Sequence, residues 1–414
     1  MSSTAYAALK IRDFRLFLAM RLFTTLSIQI MSVSVGYFVY DLTGDPLMLG
    51  FIGLSEALPA IGVSLYAGHL ADKLNRKFIL IACLTLLTSC SVALTLLVWR
   101  AEAMDRATLI GGIYGVIFLT GIGRGFFSPT NFSFMPQLVS REALPNAITW
   151  NSSAWQVSSV SGLGIGGLLY GFAGAHATFM AMTLLCVSAL LCLLAIPARP
   201  VPPVAMMEGP LARIREGLRF VFDNPLVLGA IALDLFAVLF GGAVALLPVY
   251  AKDILHVGPE GLGVLRAAMS LGAILMAFVL AHRQPGRYAG RLMLGCVAGF
   301  GLCIIGFGLS TWFWLSFAFL FLAGVFDEVS VFIRSSLIQY LTPEHMKGRV
   351  SSVNSMFITS SNEIGAFESG LAARLMGTVP SVVFGGAMTL VVVLIAWLRA
   401  PALRNLDYGS LRKT

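Results

Sequence analysis

Apolar stretches long enough to cross a lipid bilayer recur along the whole chain of 414 residues. A helix needs about 20 consecutive apolar residues to cross a hydrocarbon core about 30 Å thick. The chain is 57% hydrophobic and only 12% charged, whereas soluble domains carry about 25% charged residues. Because so few charges cannot cover a surface that faces water, the sequence predicts an all-α membrane protein.

We predict twelve transmembrane helices, although tight junctions between some apolar stretches also allow eleven. The first stretch is too long for a cleaved signal peptide and lacks a small-residue cleavage site, so we expect it to remain as a helix. The predicted helices span residues 14–40, 47–69, 78–99, 108–131, 148–172, 176–196, 225–251, 260–281, 289–309, 312–338, 350–375 and 379–399.

Basic residues concentrate on one side of the predicted helices. If the N-terminus is cytoplasmic, about 20 of the 28 Lys and Arg residues lie in cytoplasmic segments, and only Arg100, Arg106 and Lys252 lie outside. This is the positive-inside bias of membrane proteins. We therefore expect both termini in the cytoplasm, and we attribute the net charge of +8 to membrane topology rather than to nucleic-acid binding.

The longest connection between predicted helices divides the chain into two halves of six helices. It carries a proline-rich stretch and then LARIREGLRFVF, which is typical of an amphipathic helix at the cytoplasmic membrane interface. The predicted divisions are an N-terminal half over residues 1–196, a linker over 197–224, a C-terminal half over 225–399 and a cytoplasmic tail over 400–414.

The two halves resemble each other at nearly constant sequence offsets. An offset of 213 residues relates Cys83 to Cys296, and an offset of 203 relates Gly174 to Gly377. Offsets that hold across several helices favour a duplication over chance identity among apolar residues. A parallel duplication of six-helix halves is a transporter architecture, in which the substrate site lies between the halves near the bilayer midplane.

The loop after the second predicted helix reads GHLADKLNRK over residues 68–77 and resembles the signature loop of the major facilitator superfamily. Asn75 stands where the family usually has a second glycine. Because asparagine tolerates the left-handed conformation, we expect the turn to survive. An ordinary cytoplasmic turn with positive-inside charges is the alternative interpretation. The residues that carry the match are Gly68, Leu70, Asp72, Arg76 and Lys77.

Further stretches narrow the resemblance to one branch. SGLGIGG over residues 161–167 partly resembles the antiporter motif of superfamily exporters, and tight helix packing by small residues is the alternative explanation. PQLVSREALPNAITWNSS and TPEHMKGRVSSVNS are similar to the drug:proton antiporter branch, which includes siderophore and macrolide exporters. The resemblance implies proton-coupled export of a small amphipathic molecule, a siderophore or a drug, by alternating access across the bacterial inner membrane.

The resemblance leaves the substrate unidentified, because this branch moves unlike molecules on one scaffold. We expect a monomer in the lipid bilayer, with protons and a small molecule as its partners. We expect no cofactor, no metal and no nucleic acid.

Ionisable residues are costly inside a membrane, so each is a candidate functional group. The sequence offsets relate Arg21 to Asp234 and Arg124 to Asp327. In the major facilitator fold, the helices that carry these four residues line the central cavity. We predict that the two cations pair with the two anions across the halves when the cytoplasmic mouth closes. The alternative is that each charge bonds within its own half and holds the helices in register.

Three glutamates lie deeper toward the outside: Glu56 on the second predicted helix, and Glu363 and Glu368 on the eleventh. In this fold those helices face each other. Carboxylates close together in a low dielectric cannot easily all ionise, so one of them should hold a proton near neutral pH, and a proton carrier requires such a group. We predict that at least one couples transport to protons. The alternative is that Glu363 and Glu368 brace their own helix. Arg266 is a candidate counter-ion or anion-binding group.

A polar stripe on the fifth predicted helix supplies candidate substrate contacts. Asn151 and Gln156 can hydrogen-bond a substrate, and Trp155 can line an apolar cavity. The same side chains can instead bond neighbouring helices.

Three other functions remain as alternatives. A membrane enzyme is disfavoured because the sequence shows no Ser-His-Asp arrangement, metal-ligand cluster or phosphate-binding loop. A receptor or scaffold would not need charges along a cavity axis. An importer on the same fold is barely excluded, since gradients set the direction of transport and only the family resemblance favours export.

Overall fold

Helices make up most of the computed structural model, which describes residues 6–199, 210–282, 288–343 and 346–407. Within the helices, the side chains of residues 64–69, 71–73, 210–214 and 281 lie outside the description. The α-helices in chain order are α1 (Arg12–Thr43), α2 (Pro46–Lys73), α3 (Arg76–Trp99), α4 (Arg106–Phe134), α5 (Leu144–Leu194), α6 (Pro210–Asp223), α7 (Pro225–Phe240), α8 (Leu247–Val249), α9 (Gly258–His282), α10 (Ala289–Leu309), α11 (Phe313–Leu341), α12 (Lys347–Met376), α13 (Thr378–Arg399) and α14 (Pro401–Arg404).

These helices provide twelve membrane crossings. Within the described residues, ten candidate spans are long and apolar enough to cross a membrane, and the one that contains α7 runs on to Ile254. α5 is 51 residues long and holds two crossings, because Gly174 interrupts its helical backbone. α12 has 30 residues and falls short of this criterion because its many polar residues lower its mean hydropathy. With α5 counted twice and α12 included, the predicted all-α twelve-helix fold is confirmed.

The chain forms two compact units. Unit 1 comprises Met1–Leu42 and Ser55–Pro210, and unit 2 comprises Thr43–Leu54 and Leu211–Thr414. The sequence places the divisions elsewhere, and its four-part division stays a prediction. The most visible difference is that the first part of α2 groups with unit 2.

The first part of α2 packs closely on α12 within unit 2. An added Cβ on Gly50 would lie 2.8 Å from the Cα of Phe367. The rings of Phe51 and Phe367 have their centroids 5.4 Å apart, and Arg374 Nη1 lies 3.3 Å from Asp45 Oδ2. Small residues let the two backbones approach in this way.

Two glycines related by the internal repeat share an unusual backbone conformation. Gly174 has φ 79° and ψ 174°, and Gly377 has φ 93° and ψ 156°. Residues with a Cβ avoid this region, so glycine is needed at both positions. Gly174 separates the two crossings of α5, and Gly377 separates α12 from α13. The offset of 203 residues therefore relates equivalent turns in the two units.

Equivalent helix crossings recur in both units. In unit 1, a Cβ added to Gly121 on α4 would collide with the carbonyl oxygen of Glu56 on α2. In unit 2, a Cβ added to Gly324 on α11 would collide with the carbonyl oxygen of Met269 on α9. The offsets of 203 and 213 relate these two pairs. The same small-residue contact thus joins the corresponding helices of each unit.

The amphipathic helix α6 packs against unit 2. Val221 is buried in an apolar cluster with Val353, and Glu216 forms an ion pair with Arg349. An added Cβ on Gly217 would lie 2.9 Å from the carbonyl oxygen of Arg349. The sequence predicts that this helix lies at the membrane interface. At Glu216, Gly217 and Val221 the helix is covered by other residues of unit 2.

Side-chain caps mark several helix starts. Asp105 precedes α4, and its Oδ2 accepts the backbone N–H of Thr108 at 2.9 Å. This hydrogen bond stabilises the carboxylate and lowers the pKa of Asp105 below its usual value. An acidic cap is favourable at a helix N-terminus, where the backbone N–H groups lack partners.

Candidate functional site

The signature loop ties the start of α3 to the ends of α4 and α5. Arg76 Nη1 donates to the carbonyl oxygen of Ser133 at 3.2 Å, and Lys77 Nζ donates to that of Leu194 at 3.3 Å. Leu70 is exposed. The burial of Gly68 and the side chain of Asp72 lie outside what the structure describes. Arg76 and Lys77 therefore join three helix ends of unit 1.

Asn75 acts as a helix cap rather than as a left-handed turn residue. Its φ is −64° and its ψ is 115°, and its Oδ1 accepts the N–H of Lys77 at 3.0 Å. Its Nδ2 donates to the carbonyl oxygen of Arg199 at 2.9 Å. The expected left-handed conformation at this position is wrong. The turn survives because asparagine caps α3, as its short polar side chain favours.

Glu56 and Arg124 form an ion pair within unit 1. Arg124 Nη1 on α4 donates to Glu56 Oε1 on α2. The side chain of Glu56 is 17% exposed and that of Arg124 is 41% exposed. The backbone beside the pair is held by the Gly121 contact with the carbonyl of Glu56. The pair therefore lies beside a close helix crossing and is itself partly exposed.

Asp234 and Arg334 form an ion pair within unit 2. They lie on α7 and α11, and their side chains are 9% and 4% exposed. Such an enclosed pair is worth little as a stabilising interaction, but an unpaired charge at the same place costs far more. This pair joins two helices in the interior of the unit.

The four predicted gate charges thus divide into two classes. Arg124 and Asp234 have charged partners within their own units. Arg21 on α1 and Asp327 on α11 are half-buried, and neither forms an ion pair with a described residue. The pairing of the four charges across the halves stays a prediction.

The two glutamates of α12 are both half-buried. An added Cβ on Gly53 of α2 would lie 2.5 Å from Glu363 Oε2, so the Glu363 carboxylate approaches the first part of α2 within unit 2. Glu368 lies beside the buried Ser369. Because both carboxylates lie on one helix five residues apart, they point to different parts of its circumference.

The substrate candidates lie on two helices. Asn151 on α5 has a buried Oδ1 that accepts no hydrogen bond from a described residue, whereas Trp155 and Gln156 are exposed. Arg266 on α9 is partly buried. A related feature appears in unit 2, where Asn354, at the offset of 203 from Asn151, also has a buried Oδ1 with no partner in the described part of the chain.

The glycines of the antiporter-like stretch pack α5 on α1. An added Cβ on Gly162 would lie 2.8 Å from Gln29 Cβ, and one on Gly166 would lie 3.0 Å from Ile30 Cα. The repeat-related Gly365 in unit 2 makes an equivalent approach to Leu239. These glycines therefore allow close helix contact in both units.

Three polar residues that sequence reasoning missed also lie inside the membrane region. Arg334 is the partner of Asp234, and Glu328 stands beside Asp327 on α11, half-buried. Asn131 on α4 is 2% exposed. The rule that selected the other intramembrane charges applies equally to Arg334 and Glu328, since both interrupt the same apolar run. Asn131 carries no charge, and only its burial identifies it.

Known proteins resemble this chain in sequence and in fold. The family described as transmembrane secretion effector matches residues 3–412. The enterobactin exporter EntS of Shigella dysenteriae serotype 1 is 28% identical over 397 residues, which cover 95% of this chain and 92% of that protein. These matches extend over both units.

Two crystal structures illustrate the likeness in fold. A bacterial homologue of the iron transporter ferroportin in its inward-facing state aligns with a TM-score of 0.73 and 17% identity, over 95% of this chain and 98% of that one. A D-xylose-proton symporter aligns with a TM-score of 0.71 and 14% identity, over 97% and 100%. At such identities the likeness concerns the fold alone.

Proposed function

Since the chain belongs to the transmembrane secretion effector family of the major facilitator superfamily, we propose that it expels a small amphipathic molecule, a siderophore or a drug, in exchange for protons. The chain is a secondary transporter of the exporting class and not an enzyme. Its substrate and its coupling ion are the proposed parts. Enterobactin is the first substrate to test, because the similar protein EntS is an enterobactin exporter.

The Glu56–Arg124 ion pair is the observation that carries the proposed proton coupling. A coupling group must bind protons with different affinity in the two states of the transporter, or proton binding shifts nothing. Protonation of Glu56 neutralises one partner and so weakens its ion pair with Arg124. Because the side chain of Arg124 is 41% exposed, its charge is not confined to the protein interior when the pair breaks.

Alternating access supplies the change of state. Major facilitators work by rocking their halves around a fixed site. In the proposed cycle, Glu56 takes up a proton from the outside-open state and returns it in the inside-open state. Re-formation of the pair with Arg124 favours release of that proton, since a nearby cation stabilises a carboxylate. Glu363 and Glu368 are the further candidates for this role.

Neutralising the coupling carboxylate tests the proposal. Purified Glu56→Gln protein in liposomes should lose enterobactin transport driven by an imposed pH gradient, while counterflow exchange stays largely intact. Glutamine keeps the shape of the side chain but cannot carry the proton. We expect the same result for Glu368→Gln if that carboxylate shares the proton.

A matched control is Glu216→Gln, which breaks the ion pair between α6 and Arg349 and should retain pH-driven transport. Wild-type pH-driven transport by both Glu56→Gln and Glu368→Gln would reject these two residues as proton carriers. Loss of counterflow together with pH-driven transport would mean that Glu56 serves substrate binding instead.

We also propose that both termini lie in the cytoplasm and that the protein acts as a monomer in the bacterial inner membrane. The distribution of basic residues supports this orientation. A membrane-impermeant maleimide added to intact cells should label a cysteine at Ala103, between α3 and α4, and not one at Ser140, between α4 and α5. The reverse labelling pattern would invert the topology.

A further inference from the structure

The internal repeat is broken at one polar pair. The offsets of 213 and 203 relate Arg21 to Asp234 and Asn131 to Arg334. In unit 2, Asp234 and Arg334 form a complete ion pair between α7 and α11. In unit 1, the same two positions on α1 and α4 hold a cation and a neutral amide. Unit 1 therefore has a charge at this place without the opposite charge that unit 2 provides.

Arg21 and Asn131 lie at the same level of unit 1. The rings of Phe17 on α1 and Phe134 on α4 have centroids 6.3 Å apart. α1 and α4 are the first and fourth crossings, so they run in opposite directions. Arg21 follows Phe17 by about one helical turn, and Asn131 precedes Phe134 by about one turn.

Polar atoms of both residues lack partners. Arg21 Nε and Asn131 Oδ1 are buried and accept or donate no hydrogen bond in the described structure. Asn131 is 2% exposed, and Arg21 is half-buried and forms no ion pair with a described residue. Buried polar groups are normally satisfied, and a charge away from water is costly unless it is paired. Among the described residues, no acidic side chain balances the charge of Arg21.

We propose that Arg21 binds an anionic group of the exported molecule, with Asn131 as a second hydrogen-bonding residue. This inference rests on the proposed function and gives its substrate a chemical class, a small organic anion. The planar guanidinium can bond both oxygens of a carboxylate. The amide of Asn131 can donate to one oxygen and accept from a neighbouring hydroxyl.

Equilibrium binding to the purified full chain in detergent tests this assignment without any ion gradient. The probes are 2,3-dihydroxybenzoate, which carries a carboxylate, and the neutral 2,3-dihydroxybenzamide of nearly the same shape. The wild-type protein should bind the carboxylate at least about tenfold more tightly than the amide, as expected for a charge-assisted bond.

The decisive variant is Asn131→Asp, which gives Arg21 an internal partner of the kind that Arg334 has in unit 2. It should weaken binding of the carboxylate by roughly 10- to 100-fold and leave binding of the amide within about threefold. Arg21→Gln should lose the same preference for the carboxylate because it removes the positive charge. Arg21→Lys should retain part of the preference because the charge remains.

Gln137→Glu is the matched control, since it adds one negative charge shortly after α4 and should not change the preference. Equal binding of the two probes by the wild-type protein, or no binding of the carboxylate, would overturn the inference. So would an unchanged preference in Asn131→Asp or in Arg21→Gln. If the wild-type protein binds the carboxylate as expected but shows no proton-driven export, the proposed proton coupling is rejected and the role of Arg21 in anion binding stands.

Discussion

Two intramembrane ion pairs of the described residues, one in each unit, differ in how exposed their side chains are. Asp234 and Arg334 are both enclosed, whereas the side chain of Arg124 in the Glu56 pair is 41% exposed. When one partner of an enclosed pair is neutralised, the other charge stays buried and unpaired, which is costly. The enclosed pair therefore serves to hold α7 and α11 together. A charge in an open pair can be solvated. Because it is partly exposed, the pair in unit 1 can break and re-form repeatedly. The pair in unit 2 is enclosed and should stay formed.

Breaking the enclosed pair should have the largest effect. Asp234→Ala leaves Arg334 buried and unpaired, and it should destabilise unit 2 by about 3–5 kcal/mol. Replacing both charges, as in Asp234→Leu with Arg334→Met, should be nearly neutral or stabilising, because no buried charge remains. Thermal unfolding of the detergent-purified proteins measures both effects.

The open pair provides the contrast for that measurement. Glu56→Gln should change stability by less than about 1 kcal/mol, since partly exposed ion pairs contribute little. A loss of stability in Glu56→Gln as large as that in Asp234→Ala would remove the distinction between the two pairs. Transport by the double variant would further show that the charge of Asp234 is dispensable for gating.

Alanine at the two equivalent helix crossings should have a smaller effect that also differs between the units. Gly121→Ala and Gly324→Ala each force a Cβ against a carbonyl oxygen, and each should cost about 1–3 kcal/mol. Because the carbonyl beside Gly121 belongs to Glu56, only Gly121→Ala should also impair pH-driven transport.

Glycines in the same helix and in a neighbouring one serve as controls for the added methyl group. Apart from their own helix backbone, Gly115 on α4 and Gly295 on α10 have no described atom within 4 Å of an added Cβ. Alanine at either position should be neutral or stabilise the helix by roughly 0.5–1 kcal/mol. Equal destabilisation by all four substitutions would show that the close crossings have no special role.

The sequence predicts the membrane helices closely because the bilayer imposes a local requirement. The predicted span 289–309 coincides with α10 (Ala289–Leu309), and the predicted break between 172 and 176 falls at Gly174. A run of about 20 apolar residues must form a helix in lipid, whatever its neighbours are. The pairing of Gly174 with Gly377 across the repeat is likewise visible in the sequence, since the positive φ at both positions requires glycine.

The partners of the intramembrane charges depend on tertiary structure. Sequence offsets relate Arg124 to Asp327, but helix packing places Arg124 against Glu56, and nothing in the linear order selects Arg334 for Asp234. Helix rotation, crossing angle and depth decide which side chains meet, and these arise from packing between distant segments. The sequence by itself therefore determined the twelve helices, their duplication and the presence of costly charges. Only the tertiary structure decided which charges are paired, how exposed they are, and that Arg21 has no ion-pair partner among the described residues.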